Sequence, residues 1–141
     1  MDTPNYSIEI SLVDDKVKLQ GVSATNPAQP ITFDYIPPIG SGEGFAGLEL
    51  LTACFAGCVS TAVLFLLRRG GAEVKEYKAY VSGFRRENPL ALSNIIYKAE
   101  LISPNTSKEQ ITAVLEKART MSPVWNSLNP DIVVEATCIL R

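Results

Sequence analysis

The sequence predicts an α+β fold with antiparallel sheet, in which the elements follow the order βββ, helix, ββ, helix, β. Two observations support this prediction. Several segments carry the alternation of apolar and polar residues, or the residue types, that are typical of strands, and two longer segments carry helical patterns. Within each group of strands the connections include short turns, which favours antiparallel pairing.

Three short strands are predicted near the N-terminus. Apolar and polar residues alternate over residues 8–12 and again over residues 16–20, and Asp14-Asp15 between them reads as a two-residue hairpin loop. A third alternating run covers residues 31–35. The glycine-rich segment 40–44 follows it but lacks the Gly-Lys-Ser/Thr of a phosphate-binding loop, so we interpret it as a loop that leads into the first helix.

The first helix is predicted from an uncharged run of 18 residues, 50–67. Glu49 precedes the run and Arg68-Arg69-Gly70-Gly71 follows it, which are start and stop signals of a helix. Eighteen apolar residues approach the length that spans a bilayer. Half of these residues, however, are small and weakly apolar, whereas membrane insertion is driven by Leu, Ile, Phe and Val. We therefore expect no membrane association and a central helix covered by sheet or by a partner subunit.

The second half of the chain contains the remaining predicted strands. Residues 74–86 and 94–103 carry strand-forming residues and are joined by the turn Glu87-Asn88-Pro89. A last strand is predicted from residue 132 to residue 140, with Cys138 on its apolar face. Because the rest of that face is apolar, we expect Cys138 to serve packing.

Two helices are predicted between these strands. An amphipathic helix begins at a capping box, formed either by Thr106 with Glu109 or by Ser107 with Gln110. The proline that follows Ser122 disfavours helical geometry at Ser122 itself. We therefore expect Ser122 to be the N-cap of a new short helix that has this proline at its first position.

The composition fits a single domain over residues 1–141 and excludes several kinds of function. The chain has no histidine, which rules out Ser-His-Asp and Cys-His nucleophile pairs within it. Its three cysteines lack zinc-type spacing, so we expect no metal and no cofactor. The second half is only mildly basic, too weakly for a nucleic-acid partner. No signal peptide precedes the first strand, which together with the odd cysteine count predicts a reducing, cytoplasmic setting.

Cys54 and Cys58 lie one turn apart on the predicted first helix and are candidate reactive groups. An intact helix holds such neighbours too far apart for good disulfide geometry. Cys58 lies too deep in the helix to feel the N-terminal dipole, so a reactive thiolate there needs another cation. Arg85 and Arg86 are adjacent on a predicted strand, so one of them could point inward. The alternative is that Cys58 is a small buried hydrophobe.

Glu49 and Ser122 each have two possible roles. Glu49 could be a first-turn acid that favours the helix dipole, or a carboxylate beside the thiol of Cys58. Ser122 could be an N-cap alone, or its hydroxyl could also face Cys58 and bind a polar ligand or product.

Four motifs point to a known family. Gly47-Leu48-Glu49-Leu50-Leu51 opens the first helix, Ala56-Gly57-Cys58 lies within it, Arg68-Arg69-Gly70 ends it, and Ser122-Pro123-Val124 comes much later. With these motifs and its order of elements, the sequence resembles the OsmC/Ohr family over almost its whole length. In that family a helix that opens with a Pro-x-Glu-Leu-type motif carries a reactive cysteine, and a second cysteine stands in a Cys-Pro-Val motif.

The resemblance implies an intertwined homodimer, with two central helices wrapped by antiparallel sheets and thiol sites at the subunit interface. It also implies reduction of organic hydroperoxides, in which one cysteine becomes a sulfenic acid and the other resolves it as a disulfide. Cys58 takes the place of the peroxidatic cysteine, and Ser122 takes the place of the resolving one. The family's site carboxylate falls at Leu48 or Glu49, and no arginine before Arg68 matches the arginine that the peroxidase branches supply from their N-terminal strands.

Two functional hypotheses follow from the resemblance and these departures. The first is a one-Cys organic hydroperoxide reductase with a site formed by Cys58, Glu49 and Ser122, in which an external thiol reduces the sulfenic acid. The second is a non-catalytic homodimer that binds a small apolar ligand in its interface cavity.

Overall fold

The computed structural model describes residues 3–141. Its strands and helices follow in chain order: β1 Ile8–Leu12, β2 Leu19–Ser23, β3 Ile31–Phe33, α1 Gly47–Arg69, β4 Glu76–Glu87, β5 Leu90–Ile102, α2 Lys108–Met121, α3 Pro123–Ser127 and β6 Val133–Leu140. This order confirms the α+β prediction, including the short helix after Ser122. The chain forms two compact units, one up to Leu50 and one from Leu51 to Arg141.

The first unit contains an antiparallel sheet in the order β1-β2-β3. The predicted hairpin between β1 and β2 is present, but the prediction of a two-residue loop is wrong, because the loop covers residues 13–18. The carboxylate of Asp14 accepts hydrogen bonds from the backbone N–H groups of Lys16 and Lys18, at 2.8 and 3.1 Å. These hydrogen bonds stabilise a turn that is wider than the predicted two-residue loop at Asp14-Asp15.

A buried carboxylate organises the loop between β3 and α1. Asp34 accepts hydrogen bonds from the backbone N–H groups of Tyr35 and Glu43, at 2.8 and 3.0 Å, and from that of Ser41. These hydrogen bonds lower the pKa of Asp34, and the one from the Glu43 N–H has the largest effect. The positive charge of Lys18 also lowers this pKa, whereas burial raises it. The loop backbone passes so close to this carboxylate that a Cβ at Gly40 would lie 2.2 Å from Oδ1 of Asp34.

The second unit contains a sheet in the order β4-β5-β6. β4 and β5 are antiparallel neighbours joined by a tight turn at Asn88-Pro89, as predicted. β6 runs parallel to β5, with Tyr97 opposite Ala136 and Ala99 opposite Cys138. The sheet is therefore mixed rather than antiparallel throughout. The physical reason is the connection: α2 and α3 form a helical crossover, which lets the chain return in the same direction.

Helix α1 packs one face against this sheet. The buried row Phe55, Val59, Val63 and Leu67 is at most 3% exposed, and its members are four residues apart, as neighbours on one helix face are. The small residues of the opposite face, such as Gly57, are exposed in the single chain. Within residues 3–141, α1 is long and apolar enough to cross a membrane, but its buried row makes it the core helix of this unit.

The helix ends form where the sequence predicts them. At the end of α1, Gly71 adopts φ of 88°, and the N–H groups of Gly71 and Ala72 bond to the carbonyls of Arg68 and Leu67, which is a Schellman motif. At the start of α2, Ser107 and Gln110 form the capping box, which selects one of the two predicted pairs.

Candidate functional site

The candidate site lies where α1 meets the junction of α2 and α3. The Ser122 hydroxyl donates a hydrogen bond to the Sγ of Cys58 across 3.2 Å. Ser122 is 0% exposed, whereas Cys58 is half-buried. The structure therefore brings together two of the three predicted site residues, which are 64 positions apart in the sequence.

The local fold orients the Ser122 hydroxyl. Ser122 is the N-cap of α3, and its Oγ accepts a hydrogen bond from the N–H of Trp125 at 3.3 Å. Its own backbone N–H bonds to the carbonyl of Ala118, so the same residue ends α2. Because one side of the Oγ accepts from Trp125, the hydroxyl proton is directed to the sulfur of Cys58.

Aromatic side chains line the neighbourhood of this pair. Phe55, which is fully buried one turn before Cys58, contacts Trp125 edge to face with ring centroids 5.1 Å apart. Phe55 also contacts Tyr97 of β5, with centroids 6.3 Å apart. The thiol of Cys58 is thus placed at the edge of an apolar, close-packed region rather than in open solvent.

A cation stands on the outer side of Trp125. The guanidinium carbon of Arg119 lies 5.5 Å from the centroid of the Trp125 ring, within the range of a cation–π interaction. Sequence reasoning assigned neither residue a role. No local sequence pattern marked this contact, because Arg119 and Trp125 lie in two different helices, α2 and α3.

Glu49 occupies the first turn of α1. Its carboxylate accepts a hydrogen bond at 3.3 Å from the backbone N–H of Ala46, the residue before the helix. This is the carboxylate half of a capping box and accounts for an acid at this position. A role for Glu49 beside the thiol stays a prediction.

Arg85 and Arg86, the predicted cation partners of Cys58, differ in their burial. Arg85 forms an ion pair with Glu87 on the same strand at 3.1 Å, and its side chain is 48% exposed. Arg86 is half-buried, and its Nε is buried without a hydrogen-bond partner among residues 3–141. Arg85 is exposed and Arg86 is half-buried, so the two adjacent side chains differ in burial as opposite faces of a strand would, although the register with β5 shifts between Phe84 and Arg85.

The other two cysteines do not join the Cys58–Ser122 pair. All three cysteines are free thiols, and Cys54 is exposed although it lies one turn before Cys58. Cys138 is half-buried in β6, as its predicted packing role requires, and burial raises the pKa of its thiol.

Three side-chain hydroxyl groups link α1 to the sheet by hydrogen bonds. Ser60 of α1 bonds to Tyr97 of β5 at 2.7 Å and to Tyr77 of β4 at 3.3 Å, and the two tyrosine hydroxyls bond to each other. Burial raises the pKa of both tyrosines. Because each hydroxyl has a partner within the group, we assign it a structural role.

Within residues 3–141, no cluster of histidine, cysteine, aspartate or glutamate side chains is suited to hold a metal ion. The groups that the structure brings together at the site are the Cys58 thiol, the Ser122 hydroxyl and the side chains of Phe55, Trp125 and Arg119.

Comparisons with known proteins identify the family. The family model described as OsmC-like protein matches residues 40–137. No curated protein matches the chain. Among solved structures, an OsmC-like protein from Mycoplasma pneumoniae is 23% identical over 99% of both chains, with a TM-score of 0.81.

Two further structures have the same fold. An organic hydroperoxide resistance protein OsmC from Legionella pneumophila is 12% identical over 96% of this chain and 98% of that one, with a TM-score of 0.73. An organic hydroperoxide resistance protein from Elizabethkingia anophelis is 19% identical over 100% of both chains, with a TM-score of 0.71. Because the family model matches well over half of the sequence, including Cys58 and Ser122, this chain belongs to the family of OsmC-like proteins.

Proposed function

We propose that this protein is a one-Cys, thiol-dependent reductase of organic hydroperoxides, with Cys58 as the peroxidatic thiol. The observation that carries the proposal is the hydrogen bond from Ser122 to the Cys58 sulfur at 3.2 Å. It joins the two positions that hold the paired thiols in the motifs that this sequence resembles. Two proteins of the same fold are organic hydroperoxide resistance proteins, which agrees with this chemistry.

The proposed cycle needs two equivalents of an external thiol. The Cys58 thiolate attacks the terminal oxygen of the hydroperoxide, the O–O bond breaks, and the alcohol leaves after it takes up a proton. Cys58 is then a sulfenic acid. One external thiol attacks its sulfur, which releases water and forms a mixed disulfide. A second thiol attacks that disulfide and restores Cys58, so that two thiols are oxidised to a disulfide as one hydroperoxide is reduced to an alcohol.

Ser122 accounts for the need of an external reductant. A hydroxyl cannot form a disulfide with the oxidised Cys58, so the second step has no partner at this position. Its hydrogen bond favours an anionic sulfur as the acceptor, since charged acceptors form stronger bonds. We include Glu49 in the proposed site because of its place in the helix-opening motif; its test is whether Glu49→Gln slows hydroperoxide consumption.

The experiment that tests the proposal follows hydroperoxide consumption in the presence of a dithiol. We expect Cys58→Ser to reduce consumption to the uncatalysed rate, whereas Cys138→Ser, which removes a thiol elsewhere in the same unit, retains activity. A dimedone adduct detected at Cys58 by mass spectrometry would identify the sulfenic acid directly. Equal consumption by the wild type and by Cys58→Ser would eliminate the proposal.

We also propose that the protein acts as a homodimer of single-domain subunits, each covering residues 1–141, in the cytoplasm. The support is apolar surface on each unit: Ile8, Ile10 and Leu12 of β1 are 49–61% exposed, and Phe65 of α1 is 51% exposed. A reducing compartment would supply the external thiol. Light scattering during gel filtration should give twice the chain mass of 15.3 kDa, and a monomer mass would contradict the dimer.

The second candidate is a non-catalytic dimer that binds a small apolar ligand. The observation that favours it is the pair of aromatic rings of Phe55 and Trp125 beside the half-buried thiol of Cys58. Native mass spectrometry of the purified protein distinguishes the two. A retained small molecule together with no hydroperoxide consumption would support this candidate over the reductase.

A further inference from the structure

Arg119 is a cation whose charge is not neutralised within its own unit. It lies in the last turn of α2 and is exposed, and its contact is with the Trp125 ring at 5.5 Å. Within residues 3–141 it forms no ion pair with a carboxylate, unlike Arg85, which pairs with Glu87, and Arg141, which pairs with Glu100. Its positive charge therefore remains available to a ligand.

The stacking contact fixes where this charge can act. A guanidinium is planar and carries its N–H donors around its edge. Contact with the face of an indole holds the group in place and leaves the edge donors able to bind a carboxylate. An unanchored surface lysine lacks such a platform, since its ammonium moves on a flexible stem.

Ser122 links Arg119 to the thiol site. Arg119 and Ser122 are three residues apart at the end of α2, so their Cβ atoms lie about 5–6 Å apart. The Ser122 Oγ then contacts both the N–H of Trp125, at 3.3 Å, and the sulfur of Cys58, at 3.2 Å. Ser122 is thus three residues from the cation in the sequence and in hydrogen-bond contact with the thiol, and Trp125 contacts both Ser122 and Arg119.

We infer that Arg119 is a recognition residue that selects negatively charged reactants for Cys58. The inference rests on the proposed function for the nature of the substrate, which would be an organic hydroperoxide that carries a carboxylate. The carboxylate binds at the edge of the Arg119 guanidinium, and the apolar part of the molecule lies against Trp125. Neutral hydroperoxides lack this contact and react more slowly.

The first test uses alkylation and does not depend on hydroperoxide chemistry. In a full-length chain with Cys54→Ala and Cys138→Ala, Cys58 is the single thiol, and its rate of reaction is measured with anionic iodoacetate and with neutral iodoacetamide. We expect Arg119→Gln to lower the ratio of the two rates about two- to fivefold at low salt, as a lost attraction across a partly solvated distance would. Arg119→Lys keeps the charge but loses the stacked guanidinium, so it should restore only part of the ratio, and high salt should reduce the difference between Arg119 and Gln.

Lys117→Gln is the matched control. It removes the same charge from an exposed position two residues away on α2, on another face of the helix. An unchanged ratio in Arg119→Gln overturns the inference, and so does an equal loss in Lys117→Gln, which would be an effect of net charge. A drop in both alkylation rates by the same factor also overturns it, because Arg119 would then act only by holding Trp125.

The second test compares a carboxylate-bearing hydroperoxide with its methyl ester. We expect the wild type to prefer the carboxylate, and Arg119→Gln to lose two- to fivefold in kcat/KM for the carboxylate with little change for the ester. If the wild type consumes neither compound, the proposed function fails, while the alkylation ratio still decides the role of Arg119. Consumption of both with no effect of Arg119→Gln overturns the role of Arg119 and leaves the proposed function intact.

Discussion

Replacing Ser122 with cysteine should create a disulfide with Cys58. The Oγ of Ser122 lies 3.2 Å from the Sγ of Cys58, and a disulfide needs about 2.05 Å between sulfur atoms. A Cβ–S bond is longer than a Cβ–O bond, so the new sulfur starts closer to Cys58 than the hydroxyl oxygen does. A small rotation of either side chain then brings the two sulfurs into bonding distance.

The substitution changes stability in opposite directions in its two redox forms. In the reduced form the oxygen that caps α3 is lost, which should lower the free energy of unfolding by about 1 kcal/mol. In the oxidised form the disulfide links positions 64 residues apart. The entropy that it removes from the unfolded chain corresponds to about 4 kcal/mol, less any strain in the bridge. Oxidised Ser122→Cys should therefore be up to about 4 kcal/mol more stable than its own reduced form.

The assay combines thiol counting with urea unfolding. Trp125 is the only tryptophan in the chain, so its fluorescence reports unfolding of the second unit. Oxidation of Ser122→Cys should consume two thiols per chain without joining two chains. Wild type and Ser122→Ala, treated in the same way, supply the controls for the lost cap and for oxidation elsewhere.

Two results would refute the geometric reasoning. One is a chain that keeps all its thiols after oxidation. The other is a disulfide between the new cysteine and Cys54, which peptide mapping or a Cys54→Ala background would reveal. Either would mean that the Cys58 sulfur does not lie beside position 122.

Three other predictions concern stability. Asp34→Asn should lower the melting temperature at neutral pH, because the amide oxygen accepts the three N–H bonds less well than a carboxylate. The pKa of Asp34 is lowered in the folded state, so its contribution to stability is present above the unfolded-state pKa and is lost as the pH falls through the folded-state pKa. The melting temperatures of wild type and variant should therefore converge in acid. A difference in melting temperature that stays constant with pH would contradict this. Gly71→Ala should lower the free energy of unfolding, measured in urea, by about 1 kcal/mol, because φ of 88° is unfavourable for alanine. A Cβ at this position meets no atom within 4 Å, so a steric clash would not contribute. Unchanged stability would exclude a conformational role for Gly71. Phe55→Ala should lower the free energy of unfolding by about 3–5 kcal/mol and shift the fluorescence of Trp125, since the Phe55 ring is fully buried against that indole. A decrease below about 1 kcal/mol would contradict this packing.

Much of the fold could be predicted because its signals are local. The uncharged run at 50–67 and the glycines after it predict α1 and its end at Gly71, where helix and stop residues are adjacent in the chain. Ser107 and Ser122 likewise carry their capping roles within three residues of themselves. The loop between β1 and β2 was predicted too short, because the side chain of Asp14 bonds to two N–H groups beyond the expected turn.

The candidate site was less predictable because its groups are not neighbours in sequence. The motif resemblance aligned Cys58 and Ser122 with a pair of functional positions. It did not supply the orientation of the hydroxyl, which depends on the N-cap bond to Trp125. The expected cations were sought in Arg85 and Arg86, of which Arg85 is exposed and paired with Glu87 and Arg86 is half-buried. Arg119 went unnoticed because a single arginine on an amphipathic helix has no distinctive local pattern.

The sequence by itself determined the order of the helices and strands, the end of α1, the N-cap role of Ser122 and the place of Cys54 and Cys58 in the central helix, since each depends on residues a few positions apart. Only the tertiary structure decided that β6 runs parallel to β5, that the Ser122 hydroxyl points at Cys58, and that Arg119 rests on Trp125. The reason is that these contacts depend on how a helical crossover returns the chain and on where helix ends meet. Such long-range packing is set by the burial of the whole core and is not encoded in any single segment.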